Sequence, residues 1–194
     1  MASVVISGDT SGSVTLSAPA VAGSSTQTLV AATGTLAPLV HGTAQPTTSG
    51  IFKDFTGIPS WVKRITVVFS GVSTNGTAPI TIQLGTGGVP TTTGYSSSGT
   101  AIQGTGAGAA SATNGFQSGN TDGNATWFRY GSAVISNVGS NTWQCTLLLG
   151  IPVATRTEFA GGSITLGGTL DMVRITTRTG VNTFTDGTIN ILYE

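Results

Sequence analysis

Residues 55–76 read FTGIPSWVKRITVVFSGVSTNG, and the centre of this stretch decides the fold class. Apolar side chains occupy alternate positions there: Ile65, Val67 and Phe69. Because successive side chains of a β-strand point to opposite faces, this two-residue period predicts a strand with one buried face. The stretch ends at Asn75-Gly76, a dipeptide typical of a tight turn between antiparallel strands.

The same pattern recurs along the chain. Further alternating runs are Ile80–Leu84, Trp143–Leu149, Met172–Thr177 and Thr188–Tyr193. Turn dipeptides separate them: Gly87-Gly88, Asp122-Gly123, Gly161-Gly162, Gly167-Gly168 and Asp186-Gly187. Helical periodicity is nearly missing. The sequence therefore predicts an all-β fold, an antiparallel β-sandwich of jelly-roll-like type, with an extended N-terminal β-rich arm.

Two regions differ from this core pattern. Residues 1–44 are rich in Ser, Thr, Ala and Val, and their strand-like segments, Val4–Ile6, Val14–Leu16 and Thr28–Val30, are too short for a core of their own. We interpret 1–44 as an attachment and oligomerisation arm and 45–194 as a β-sandwich head domain. Residues 85–123 have few large apolar side chains, so we expect a long loop that is functional or packed on a neighbour.

Charge excludes several classes of function. Seven acidic residues balance seven basic ones in 194 residues. Without a basic stripe we expect no nucleic-acid partner, and without a long apolar run we expect no membrane insertion. The first residues lack the pattern of a secretory signal, which predicts synthesis in a cytoplasm. So little charge suits a protein assembled into a particle better than one that diffuses freely.

Chemical motifs for catalysis or metal binding are weak. One cysteine, Cys145, is expected to be a buried thiol, and one histidine, His41, lacks a G-x-S-x-G nucleophile turn for a catalytic triad. The acids are scattered, which disfavours glycan cleavage. The loop 119–124 resembles a calcium loop only loosely, and turn formation explains it better. We therefore predict no enzyme activity, no catalytic residues, no cofactor and no metal.

A recognition surface is a better candidate. Trp127 and Tyr130 follow a loop that supplies polar side chains, and flat aromatic rings beside amide and carboxylate groups are typical of carbohydrate-binding surfaces. The predicted receptor-binding residues are Asn120, Asp122, Asn124, Trp127 and Tyr130. An alternative reading is that Trp127 and Phe128 only cap the sandwich core.

Several other charged residues have possible ion-pair partners in the sequence. Lys63 and Arg64 lie at the start of a predicted strand, where long side chains pack while their charges reach water. Asp54 is an available partner, and a contact across a subunit interface is the second possibility. Asp171 precedes Arg174 by three positions, which favours a surface charge pair between these two residues.

A family resemblance adds to this reading. The segment IFKDFTGIPSWVKRITVVF, residues 51–69, resembles a segment of tailed-phage tail-fibre and related virion proteins, as do residues 71–76, 170–177 and 186–194. The leader, residues 12–23, resembles the Ser/Thr/Ala segments that precede such domains. No catalytic residue is carried over with this resemblance.

The resemblance implies a non-enzymatic, homotrimeric virion protein, fixed to other virion proteins by residues 1–44. We expect a tail-fibre or adhesin subunit that binds a glycan or protein of the host surface. The alternative is a capsid decoration protein, and an enzyme that degrades surface polysaccharide ranks below both. The missing repeat shaft leaves open whether such a protein is a long fibre, a short fibre or a decoration.

Overall fold

The computed structural model describes residues 3–7, 13–17, 38–120 and 123–194. Contacts divide the chain into two compact units, Met1–Leu36 and Ala37–Glu194. In the first unit, strands β1 (Ser3–Ser7) and β2 (Ser13–Ser17) form an antiparallel hairpin. These strands confirm the two predicted segments that they contain, while Thr28–Val30 lies outside the described residues.

The second unit is an antiparallel β-sandwich, as the alternating runs predict. Its strands are β3 (Val40–His41), β4 (Gln45–Pro46), β5 (Phe52–Thr56), β6 (Arg64–Thr74), β7 (Ile80–Thr86), β8 (Val89–Pro90), β9 (Ser96–Gln103), β10 (Gly106–Ala112), β11 (Phe116–Gln117), β12 (Arg129–Gly139), β13 (Thr142–Ile151), β14 (Arg156–Thr165), β15 (Met172–Thr177) and β16 (Phe184–Tyr193). The only helical element in the described ranges is a 3-10 turn, Pro152–Ala154. Within those ranges no helix has the length and apolar character needed to cross a membrane.

Nine strands form the large sheet. Their order is β10-β9-β14-β13-β12-β6-β16-β3, and β4 also pairs with β16. Because β3 and β4 pair with the C-terminal strand, the structured unit begins before residue 45, where the sequence placed the start of the head domain. The division between the two units lies after residue 36.

The small sheet has the order β11-β7-β15-β5, with β8 paired to β7. Gly87 and Gly88 make the turn between β7 and β8 with φ values of 62° and 72°, in the left-handed region that glycine adopts readily. The side chains of β7 are buried on both faces, since Thr81 and Gln83 are covered as well as the apolar residues. The Gln83 amide donates to the carbonyl of Asn114 at 2.8 Å.

The core lies between the two sheets. From the large sheet, β6 contributes Ile65, Val67 and Phe69, and β13 contributes Trp143, Cys145, Leu147 and Leu149. From the small sheet, Ile80, Ile82, Leu84, Val173 and Ile175 complete the apolar layer. The alternation in the sequence thus predicts the inward face of each of these strands correctly.

Residues 85–123 form more structure than the sequence predicts. Instead of one long loop, this segment contains strands β8 to β11, and β9 pairs with β14 along its whole length. Gly99 faces the 117–119 backbone so closely that a Cβ atom would lie 2.3 Å from the carbonyl oxygen of Gly119. The small side chains that suggested a loop instead allow the close approach of two segments.

Two predicted charge pairs are wrong. Arg174 pairs with Asp54, with Nε and Nη2 donating to the two carboxylate oxygens at 2.7 and 2.6 Å, because β15 and β5 are adjacent strands. The hydrogen bonds to Asp54 raise the pKa of Arg174. Asp171 instead accepts from the Gly88 amide, and Arg64 pairs with Glu194 rather than with Asp54.

Candidate functional site

Three charged side chains meet inside the sandwich, at the end of the large sheet where β12 and β14 begin. Arg129 is the first residue of β12, and Arg156 and Glu158 lie near the start of β14. The side chains of Arg129 and Glu158 are each only 1% exposed. Strand alternation explains the grouping, because Arg156, Glu158 and the core residue Ala160 share the inward face of β14.

Glu158 lies between the two guanidinium groups. Its Oε2 accepts from Arg129 Nε at 3.2 Å and from the Ser118 hydroxyl at 2.9 Å, and its Oε1 is 3.5 Å from Arg156 Nε. Arg156 Nη2 also donates to Oδ1 of Asn120. A buried carboxylate is stable only when it is paired and hydrogen-bonded, so these contacts make the arginine–glutamate cluster (Ser118, Asn120, Arg129, Arg156 and Glu158) a single interdependent unit.

The Trp127 ring joins this cluster from the loop before β12. The guanidinium carbon of Arg156 lies 4.7 Å from the ring centroid, within the range of a cation–π contact. Trp127 is half-buried, whereas Phe128 beside it is exposed. The contact therefore holds one aromatic ring and one guanidinium together at the edge of the core.

A surface pocket of about 260 Å³ adjoins the cluster. It is lined by Ala101, Gln103, Gly106, Ala107, Gly108, Asn120 and Arg156. A Cβ atom at Gly108 would lie 2.4 Å from the Asn120 amide nitrogen, so glycine lets β10 pass close to Asn120. The Asn120 amide can donate hydrogen bonds to a polar ligand and accept them, and the Arg156 guanidinium can donate them, while the small side chains of the other lining residues leave room for the ligand.

The structure separates the predicted receptor-binding residues into groups. Asn120 and Trp127 both contact Arg156 and so belong to one site. Asn124 serves its own turn, with its Oδ1 accepting from the amide and the hydroxyl of Thr126, each at 2.9 Å. Tyr130 is exposed and lies beside Gly71 of β6, on the opposite face of the sheet from Arg129. Asp122 lies outside the described residues.

The sequence reading missed the three charged residues of the cluster. One feature of the sequence could have indicated two of them. Arg156 and Glu158 are two residues apart, which places both on one face of a strand, and Ala160 follows on the same face. Charged residues lie mostly at the surface, so sequence alone favours exposed positions for all three.

Cys145 and His41 do not extend this site. Cys145 is buried as predicted, and burial raises the pKa of its thiol to about 12. His41 lies on β3 and lines a different pocket, together with Asp54 and Tyr193. Among the described residues, no group of three or more His, Cys, Asp and Glu side chains is placed to hold a metal ion.

Comparison of the chain with models of protein families, with curated proteins and with solved structures found no match.

Proposed function

We propose that this chain is a structural virion protein, a phage tail-fibre or adhesin subunit that binds the host surface, with a glycan as its ligand and without catalysis. The observation that carries the proposal is the pocket bounded by Asn120 and Arg156, with the Trp127 ring on the same guanidinium. Sugars present apolar ring faces with hydroxyl groups at the edges. An aromatic ring next to amide and guanidinium groups suits such a ligand.

Binding through such a site is weak for one copy and gains strength from repetition. A homotrimer, present in several copies on one virion, would present many sites to one cell surface. When one site is bound, the others are held close to the surface, so the whole virion binds more tightly than one site does. Residues 1–44 would attach the chain to other virion proteins. The resemblance of residues 51–69 to tail-fibre segments supports the same role.

A capsid decoration protein is the second candidate, and the low charge of the chain favours it. Only 7% of residues are charged, a composition suited to a surface that is covered by neighbours once, during assembly. Immunogold labelling of purified virions with an antibody to this chain separates the two. Label on the tail supports the adhesin, and label confined to the head supports the decoration protein.

Glycan binding is tested with the purified full-length chain on an array of bacterial surface polysaccharides. Trp127→Ala and Asn120→Ala are expected to lower binding at least ~10-fold, because Asn120 lines the pocket and the Trp127 ring packs on Arg156, which also lines it. Trp61→Ala is the matched control, because Trp61 is also partly exposed but packs on Tyr193 instead. An equal loss of glycan binding in the Trp61 variant, or no loss of binding in the Trp127 variant, contradicts the proposed site. Release of reducing sugar contradicts the absence of catalysis.

A further inference from the structure

The outward face of the large sheet carries almost no charge. On β9, β14, β13, β12 and β6, side chains that alternate with the core residues are Ser, Thr, Gly, Gln and apolar residues. In the described residues of these five strands, Arg64 at the start of β6 is the one charged residue on that side. We call these outward positions the uncharged face.

Large apolar side chains lie together near the middle of this face. The pairing register places Val68 beside Ser132, Ser132 beside Leu148, and Leu148 beside Phe159. Leu148 is 52% exposed and Phe159 is 41% exposed. Other exposed apolar residues on the same face are Ile102, Tyr130 and Val134. Adjacent strands are only about 4.8 Å apart, so Leu148 and Phe159 are direct neighbours, while the small side chain of Ser132 lies between Leu148 and Val68.

We propose that copies of this chain associate with one another through the uncharged face. The inference rests on the homotrimer of the proposed function and names its contact surface, but it does not depend on glycan binding. A patch of this kind on a sheet is typical of a surface that is covered in the assembled protein.

Charge argues for a second copy as the occupant. A partner that brought charged groups to this face would have them removed from water without an opposite charge to meet them, which is costly. A second copy brings the same uncharged surface, and it is present at the same concentration. Around a three-fold axis, three such faces meet with Arg64 as the one charged residue that each brings from these five strands, and Arg64 is paired with Glu194.

The size of the face is sufficient. Five strands about 4.8 Å apart, with roughly seven residues each at about 3.3 Å, cover on the order of 550 Å² in projection. Side chains that project from the sheet raise the accessible area above this figure. Specific interfaces begin at roughly 600 Å² per partner, so the face reaches the range of a stable oligomer.

The test measures the mass of the full-length chain by light scattering after size-exclusion chromatography. Wild type is expected at three times the chain mass of 19.3 kDa. Leu148→Lys and Phe159→Lys are expected to weaken association at least ~10-fold, because each places an unpaired charge at the centre of the interface. Val153→Lys and Val181→Lys are matched controls, since these valines are 67% and 70% exposed but lie outside the face.

Circular dichroism establishes that each variant is folded. If Leu148→Lys misfolds, Leu148→Ser replaces it, because the neighbouring position on β12 already presents serine. Folded face variants that keep the wild-type mass overturn the inference and leave the homotrimer standing. A monomeric wild type overturns both. A monomeric wild type whose binding to the polysaccharide array is lost in Leu148→Lys assigns the face to the host ligand instead.

Discussion

Glu158 is the residue on which the buried polar cluster depends. It is the carboxylate that faces both Arg129 and Arg156 in the sandwich interior. Glu158→Gln removes its charge and keeps its shape, which leaves the two guanidinium groups without that counter-charge. We expect a loss of about 3–5 kcal/mol in the free energy of unfolding, measured by urea denaturation.

Glu194→Gln is the control for this experiment. Glu194 pairs with Arg64 at the surface, where the Arg64 side chain is 57% exposed. An exposed pair contributes less than about 1 kcal/mol, so this variant should unfold close to wild type. Similar losses in the two variants would contradict the interdependence of the cluster.

Cys145 gives a second prediction at this scale. Its pKa is raised to about 12 by burial, so the thiolate that reacts with disulfide reagents is nearly absent at pH 8. We expect no reaction with an aromatic disulfide in the native protein and rapid reaction in urea. As the pH rises, the thiol of the unfolded chain ionises before the buried thiol of the native protein. The stability that Cys145 contributes is therefore fully present below the pKa of the unfolded thiol, and it declines as the pH rises from there to about 12. Rapid labelling of the native protein would contradict the burial.

For single residues, the two-residue period of apolar side chains is the feature of the sequence that predicts which side chains are buried. The period identifies the inward side chains of β6 and β13, since apolar and polar residues alternate there. It does not identify the cluster, because the rule that assigns charged residues to the surface fails where charges neutralise one another. Pairing between strands far apart in sequence also decided the partner of Asp54, which no local pattern contains.

Among the strands, β16 keeps its pairing with β6 only because a glycine, Gly187, lies at its bulge. Its register against β6 shifts on both sides of Asp186, and Gly187 has a φ of 94°. A Cβ atom there would lie 2.4 Å from the carbonyl oxygen of Gly71. We expect Gly187→Ala to lower the free energy of unfolding by roughly 1–3 kcal/mol, because both the backbone conformation and the contact become strained.

Gly167→Ala is the comparison for Gly187→Ala. Gly167 has ordinary backbone geometry, and nothing lies within 4 Å of the position of its Cβ atom. Its substitution should change the free energy of unfolding by no more than about 0.5 kcal/mol, with both variants measured by urea denaturation. A Gly187 variant as stable as the Gly167 variant would show that the bulge in β16 tolerates a side chain.

Other elements show where composition misleads. Strands β9 and β10 consist mostly of Ser, Gly, Ala and Thr, so they lack the large apolar residues that identify a strand in a sequence. Pairing orders them instead, because β14 pairs with β9 and β9 pairs with β10. The turn between β12 and β13 uses Ser140 and Asn141, which have positive φ although neither is glycine, so a dipeptide such as Asn-Gly or Gly-Gly does not mark it in the sequence.

The whole molecule consists of a hairpin-containing N-terminal unit and a sandwich whose charges are few and mostly paired. The pairs Arg64–Glu194, Arg174–Asp54 and the buried cluster account for much of the charge in the described residues. Because the charges lie elsewhere, two copies that meet at the uncharged face would be held by hydrophobic contacts and by hydrogen bonds between hydroxyl groups. Association through it should therefore respond to salt differently from association between charged surfaces.

Sedimentation of the full-length chain in increasing salt tests this expectation. Sodium chloride screens charges over about 10 Å at 0.1 M and about 3 Å at 1 M, so an assembly held by ion pairs dissociates over that range. An assembly held by the uncharged face should keep its mass there. Ammonium sulfate should strengthen it, because excluded salts favour the burial of apolar surface. Dissociation by sodium chloride would instead indicate that charged residues outside this face hold the copies together.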